Sequence, residues 1–137
     1  MVSNYLKSND IGILIIRLSV GLILLPHGIS KLINGVDWLG GLLSNVSLPP
    51  IMKYGVYIGE IVAPILLVIG YRTRIAALFV AFNMCMTVLL AHRDIVFTIR
   101  SSGSWAIELN ALFFLGALAL FFTGGGKYAV SSKNKWD

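Results

Sequence analysis

The sequence predicts an all-α fold, a four-helix transmembrane bundle, and three observations carry that expectation. Hydrophobic residues make up 57% of the 137-residue chain and charged residues only 12%, against roughly 25% charged in a soluble domain. The apolar residues gather into four runs, near 11–33, 51–70, 74–91 and 105–123. Each run approaches the ~20 residues that cross a hydrocarbon core about 30 Å thick at 1.5 Å per residue. Backbone groups in lipid must find their hydrogen bonds within the segment, so the runs should be helices. They form one domain over 1–137.

The first run sits where a signal peptide would. It is too long for an h-region, holds Arg17 and lacks a small-x-small cleavage site, so it reads as a retained helix. Pro26 removes the donor for the Leu22 carbonyl and should bend it. The connection "NGVDWLGGLLSNVSLPP" places Trp38, Leu39, Leu42 and Leu43 at helical spacing. It suits a short amphipathic turn in the headgroup region.

In the second run, Gly55, Gly59 and Ala63 are four apart, a small-residue stripe that permits close helix packing. Pro64 frees the carbonyl of Glu60, which then needs another donor. "GYRTR" is a tight turn, so the second and third runs should form a hairpin. "HRDIVFTIRSSGS" is polar at both ends and apolar in the middle, and also suits the headgroup region. After the fourth run, the tail "GGGKYAVSSKNKWD" is polar and expected to be partly mobile.

Lys and Arg near the spans set orientation. Lys7, Arg72, Arg74, Lys127, Lys133 and Lys135 fall on one side, and Lys31, Lys53, Arg93 and Arg100 on the other. The bias favours both termini in the cytoplasm. The net charge of +5 is therefore read as topology. No basic patch interleaved with aromatics points to nucleic acid. The single cysteine, Cys85, excludes an internal disulfide, a CxxC pair and a Cys-rich metal site. There is no GxGxxG motif, P-loop or Ser-His-Asp spacing. "TGGGKY" follows a membrane run and is not a nucleotide loop. His27 and His92 alone make a poor haem clamp, and no metal site is expected.

The chemistry-bearing residues are those that oil disfavours. Arg17, His27, Lys31, Glu60 and Glu108 lie within spans, His92 ends the third, and Asn83 and Asn110 are polar companions. Ionisable groups at such depth usually face the bundle interior or a water-filled cavity. With the N-terminus inside, His27, Lys31, His92 and Glu108 share the outer half, with Glu60 deeper and Arg17 in the inner half. His27 and Lys31 are i, i+4, and Arg17 returns near the same face, so the first helix carries a positive stripe. Glu60 and Glu108 are the carboxylates available to answer it.

Structural roles compete for each. Lys31 also suits snorkelling to the interface, His92 an interfacial position, and Glu108 a helix N-terminus that favours negative charge. Arg17 with Glu60 also reads as a structural ion pair. Glu60 is hardest to explain without a partner, because a mid-bilayer carboxylate needs one. Trp38, Trp105, Tyr54 and Tyr57 read as interfacial anchors.

The ordered features resemble the DoxX family of small membrane proteins. "RLSVGLILLPHGISKL" is similar to the family's first-helix pattern of Arg, Gly, His-Gly and Lys-Leu. "GEIVAPILLVIGYRTRIAAL" is similar to its Glu, Leu-rich run and Thr-Arg-x-Ala turn. "ELNALFFLGALALFFTGGGKYAV" is similar to its last helix and closing Gly-x-Gly-x-Tyr. The resemblance covers residues 11–130. It departs at Tyr128-Ala129-Val130-Ser131, where the family often reads Tyr-Ser-Leu-Asp. The resemblance implies a bacterial inner-membrane, multi-pass protein related to the small subunit of thiosulfate:quinone oxidoreductase. Its relatives act beside redox enzymes, including the methylamine-utilisation membrane protein. The dithiol chemistry of four-helix disulfide-forming quinone reductases is excluded by the single Cys85.

The resulting expectation is a membrane subunit or accessory of a redox system, with a quinone-type ligand in a polar pocket. Glu60 and His27 are the expected catalytic groups. Arg17, Lys31, Glu108, His92 and Asn110 are the expected ligand-binding groups. The expected partners are the lipid bilayer and a soluble or membrane oxidoreductase. The alternatives are a non-catalytic scaffold that anchors a soluble oxidoreductase, or a transporter of a small solute or protons along the polar stripe.

Overall fold

A computed structural model describes residues 8–137; Lys7, counted above for orientation, lies outside them. The described residues are all-helical. Helix α1 (Asn9–Asn34) is followed by the short α2 (Asp37–Asn45), then α3 (Pro50–Ile69), α4 (Thr73–Ile95) and α5 (Glu108–Thr123). Helices α1, α3 and α4 are long and apolar enough to cross a membrane, while α5 is an apolar helix of 16 residues.

Local chemistry sets the ends of these helices. Ser8 caps α1, its hydroxyl oxygen accepting from the Ile11 N–H at 3.4 Å. The helix continues through Pro26 to Gly35, whose φ of 80° stops it. Gly70 ends α3 in the left-handed region, and α4 starts three residues later, which is the expected hairpin turn. The amphipathic connection forms α2, tied to the start of α3 by an Asp37–Lys53 bridge of 2.7 Å. The Lys53 hydrogen bond and charge hold the Asp37 carboxyl below its ordinary range.

Two helices widen into π turns, at Ile58–Val62 in α3 and Val88–His92 in α4. The first ends where Pro64 begins to act. Pro64 has no N–H for the Glu60 carbonyl, and that carbonyl bulges towards α1. Gly28 makes the room, since a Cβ there would overlap the Glu60 carbonyl oxygen. Gly21 does the same one turn-pair earlier, where a Cβ would lie 2.8 Å from the Pro64 carbonyl oxygen. The close-packing stripe expected on α3 is thus only partly used. Gly59 meets Asn83 and Ala63 is buried, but nothing lies within 4 Å of an added Cβ at Gly55.

The core is built from one face of each long helix and α5, including Val20, Leu24, Leu67, Val80, Met84, Phe113 and Leu120. Large apolar side chains such as Leu22, Ile23, Phe82, Leu112, Leu115 and Phe122 point outwards. Water would penalise that surface and hydrocarbon would not.

Two expectations are corrected. The last helix starts at Glu108, not Trp105, because residues before it close a hairpin in which Ile99 bridges Trp105 and the Ala106 N–H donates to Thr98. The tail is docked rather than loose. Val130 and Ser131 N–H groups donate to the carbonyls of Ile69 and Gly70, and Gly125 N–H donates to the Asp137 carbonyl. Asp137 also accepts from Ser131 at 2.6 Å and pairs with Arg72 at 3.1 Å. The Ser131 hydroxyl, the Asn134 N–H and Arg72 hold its carboxyl below the ordinary value against the cost of burial.

Candidate functional site

Arg17 is 1% exposed on the inward face of α1. Its Nε donates to the Leu67 carbonyl (2.9 Å), Nη1 to Gly125 (2.7 Å) and Nη2 to Val68 (3.0 Å). These carbonyls lack helical partners near the end of α3 and beyond α5. The expected Arg17–Glu60 pairing is not formed. α1 and α3 run antiparallel, so Arg17 lies level with Leu67, about 10 Å of helix from Glu60. The positive stripe exists, but its two ends meet different parts of α3.

Lys31, at the other end of the stripe, answers Glu60. Its Nζ donates to Glu60 Oε2, and Asn83 Nδ2 donates to Glu60 Oε1 at 3.0 Å. Glu60 is 2% exposed, so both carboxylate oxygens are engaged where water is scarce. Desolvating a charge is costly unless it is paired and hydrogen-bonded, and this arrangement supplies both. The Tyr57 hydroxyl donates to the Lys31 carbonyl at 3.3 Å, tying the end of α1 to α3 beside the pair.

A cavity of about 650 Å³ opens from this cluster between α1, α3, α4 and α5. Of the seven residues singled out in the sequence as catalytic or ligand-binding, it is lined by His27, Lys31, Glu60, His92, Glu108 and Asn110. Arg17 does not line it. His27 is held edge-on to Phe113, ring centroids 6.2 Å apart. His92 comes from the π turn of α4, and Glu108 opens α5. The Asn110 amide lies 3.8 Å from the Met84 sulfur.

Sequence reasoning under-weighted three residues here. Asn83 is the second donor to Glu60, and its signal was an amide inside "LFVAFNMCM". Arg100 lines the cavity from the hairpin, its Nη2 donating to the Ala106 carbonyl at 3.0 Å. No helical spacing could have brought a loop residue there. Trp38, read as an anchor, also lines the cavity.

Chemically, the cavity joins two carboxylates, two cations and two imidazoles in an otherwise apolar bundle. Its volume lies within the roughly 300–1,000 Å³ usual for small-molecule sites. Hydrogen-bond donors, from Lys31, Arg100 and the imidazoles, face acceptors from Glu60 and Glu108. Such a set can orient a polar head group and exchange protons with it.

The Bacillus subtilis (strain 168) protein named "Putative oxidoreductase CatD" is 26% identical over 118 residues, covering 86% of this chain and 83% of that protein. No solved structure matches. The DoxX family model matches residues 12–93. That stretch holds Arg17, His27, Lys31, Glu60, Asn83 and His92, while Glu108 and Asn110 lie beyond it. A match over more than half of the sequence, carried by the helices that build the Lys31–Glu60 cluster, makes this chain a member of the DoxX family.

Proposed function

We propose that this chain is an inner-membrane subunit of a quinone-linked redox system, and that the polar cavity holds the quinone head group. The observation that carries this reading is the convergence of His27, Lys31, Glu60, His92, Glu108 and Asn110 on one cavity of an apolar bundle. A quinone ring needs apolar walls and donors at its two carbonyl oxygens. Lys31 and His27 supply donors, while Leu24, Met84 and Phe113 supply walls. Reduction of a quinone to a quinol takes two electrons and two protons, one proton to each oxygen. A partner oxidoreductase supplies the electrons. His27 and Glu60 pass the protons, and Lys31 and Asn83 hold Glu60 in place between transfers. The family resemblance and the name of the B. subtilis relative support the redox setting.

The test is to purify the protein in mild detergent, record its visible spectrum and identify co-extracted quinones by mass spectrometry. Bound quinone is expected, without a haem band. Glu60→Gln should lower quinone-linked turnover in membranes about 100-fold. No bound quinone together with unchanged turnover in the variant would overturn the reading.

A further inference from the structure

We infer that the ligand carries a long isoprenoid tail, and that the tail lies in an apolar groove beside the polar cavity; this rests on the quinone reading above. The groove is a second cavity, of about 240 Å³, between α3 and α4 and beneath α2. Lys31, Trp38, Thr87 and Ala91 line both spaces, so the two adjoin where the head group would sit. Along α4 the groove extends from Ala91 to Phe79, about 18 Å of helix.

Its walls are chosen for hydrocarbon. Leu39 and Leu43 come from α2, Val56 from α3, and Phe79, Phe82 and Met86 from α4. Three polar side chains reach it, Lys31, Asn83 and Thr87, and each already donates a hydrogen bond within the protein. Asn83 Nδ2 donates to Glu60, and the Thr87 hydroxyl donates to the Asn83 carbonyl at 2.9 Å. One space therefore offers donors and acceptors, and its neighbour offers mostly apolar surface. A molecule that satisfies both has a compact polar head and a flexible apolar chain.

Charge is consistent with such a molecule. Glu60 and Glu108 line the polar space together with Lys31 and Arg100, so its fixed charges balance and call for no net charge on the head group. A neutral quinone head meets that condition. The far end of the groove opens sideways, with Phe82 60% and Phe79 46% exposed, towards the surface that faces lipid. The tail can thus enter from the bilayer without passing the polar end.

Gly55 provides the test. It lines the groove, and an added Cβ meets nothing within 4 Å, so Gly55→Phe adds a ring at the groove wall with no clash at its Cβ. The protein is placed in nanodiscs of phosphatidylethanolamine and phosphatidylglycerol. Binding of menadione, which has no tail, is compared with binding of a menaquinone, both concentrations expressed per bilayer lipid. The native chain should bind the tailed quinone at least about ten-fold more tightly. In Gly55→Phe the ratio should fall to about one; Gly55→Leu is the smaller plug should the ring prevent folding. A photoreactive group at the end of the tail should label α4 around Phe79 and Phe82 in the native chain. A native ratio near one, or a ratio unchanged by both substitutions, overturns the tail groove and leaves the head-group reading standing. So does labelling of the groove by a photoreactive phospholipid that menaquinone cannot displace. If neither quinone binds, the head-group reading fails, and the groove assignment fails with it.

Discussion

Glu60 and Arg17 are both buried ions in an apolar bundle, and they solve the same problem in different ways. Arg17 spreads its charge over three backbone carbonyls. These are the partial negative charges that collect at helix C-terminal ends. Glu60 takes a full counter-charge from Lys31 and a neutral donor from Asn83. The difference matters for perturbation. Removing one member of a buried pair leaves an uncompensated charge, whereas removing both does not. Lys31→Met should therefore destabilise the protein by about 3 kcal/mol. Lys31→Met combined with Glu60→Gln should recover most of that loss. The measurement is thermal unfolding in mild detergent, followed by helical circular dichroism. Equal stability of the single and double variants would mean that Lys31 serves Glu60 only weakly and mainly snorkels.

At the scale of the helix, a proline on one element and a glycine on another act as a unit. Pro64 frees the Glu60 carbonyl, α3 widens into a π turn, and Gly28 of α1 accepts the bulge. π turns inside α-helices are often found at functional sites, and both of those here border the polar cavity. Gly28→Ala should force α1 and α3 apart and cost about 1–3 kcal/mol, as overpacking does. Gly12→Ala on the same helix meets nothing within 4 Å. It should leave stability unchanged or raise it by at most about 1 kcal/mol. Unfolding in the same detergent checks both, and an equal effect at the two glycines would contradict the packing account. The long helices were legible because hydrocarbon demands runs of one length and one character. Pro64 was legible as a local fault, yet the π turn was not, since its geometry depends on Gly28 of another helix. The cavity was legible in outline, because few residues besides its lining are ionisable within the spans. Arg17 was misplaced for a clear reason. Helical spacing fixes which face a residue takes, but not which partner stands level with it across the bundle.

For the whole molecule, the ends of the bundle differ in kind. One end holds the polar cavity, α2 and the hairpin before α5. The other holds the turn after α3, the start of α1 and the docked tail, where the Lys127 N–H donates to Asp10 at 3.0 Å. The tail escaped sequence reading because its order comes from backbone donors meeting Ile69 and Gly70, which composition does not reveal. Arg72, Arg74, Lys127, Lys133 and Lys135 gather at this second end, so the positive-inside rule predicts that it faces the cytoplasm and the cavity mouth the opposite side. This requires α5 to cross, although its 16 residues rise only about 24 Å, short of the ~30 Å core. Local thinning of the bilayer or flanking residues can absorb a mismatch of that size at modest cost. Cysteine labelling decides the matter. Cys85 is exposed, so Cys85→Ala gives a silent background for Ser102→Cys in the hairpin and Ser132→Cys in the tail, both at exposed positions. In intact spheroplasts, an impermeant maleimide should label the first without lysis and the second only after it. The opposite pattern would invert the orientation. Labelling of both from outside would mean that α5 does not cross the membrane, and the polar cavity would then have to be reached from the same side as the tail.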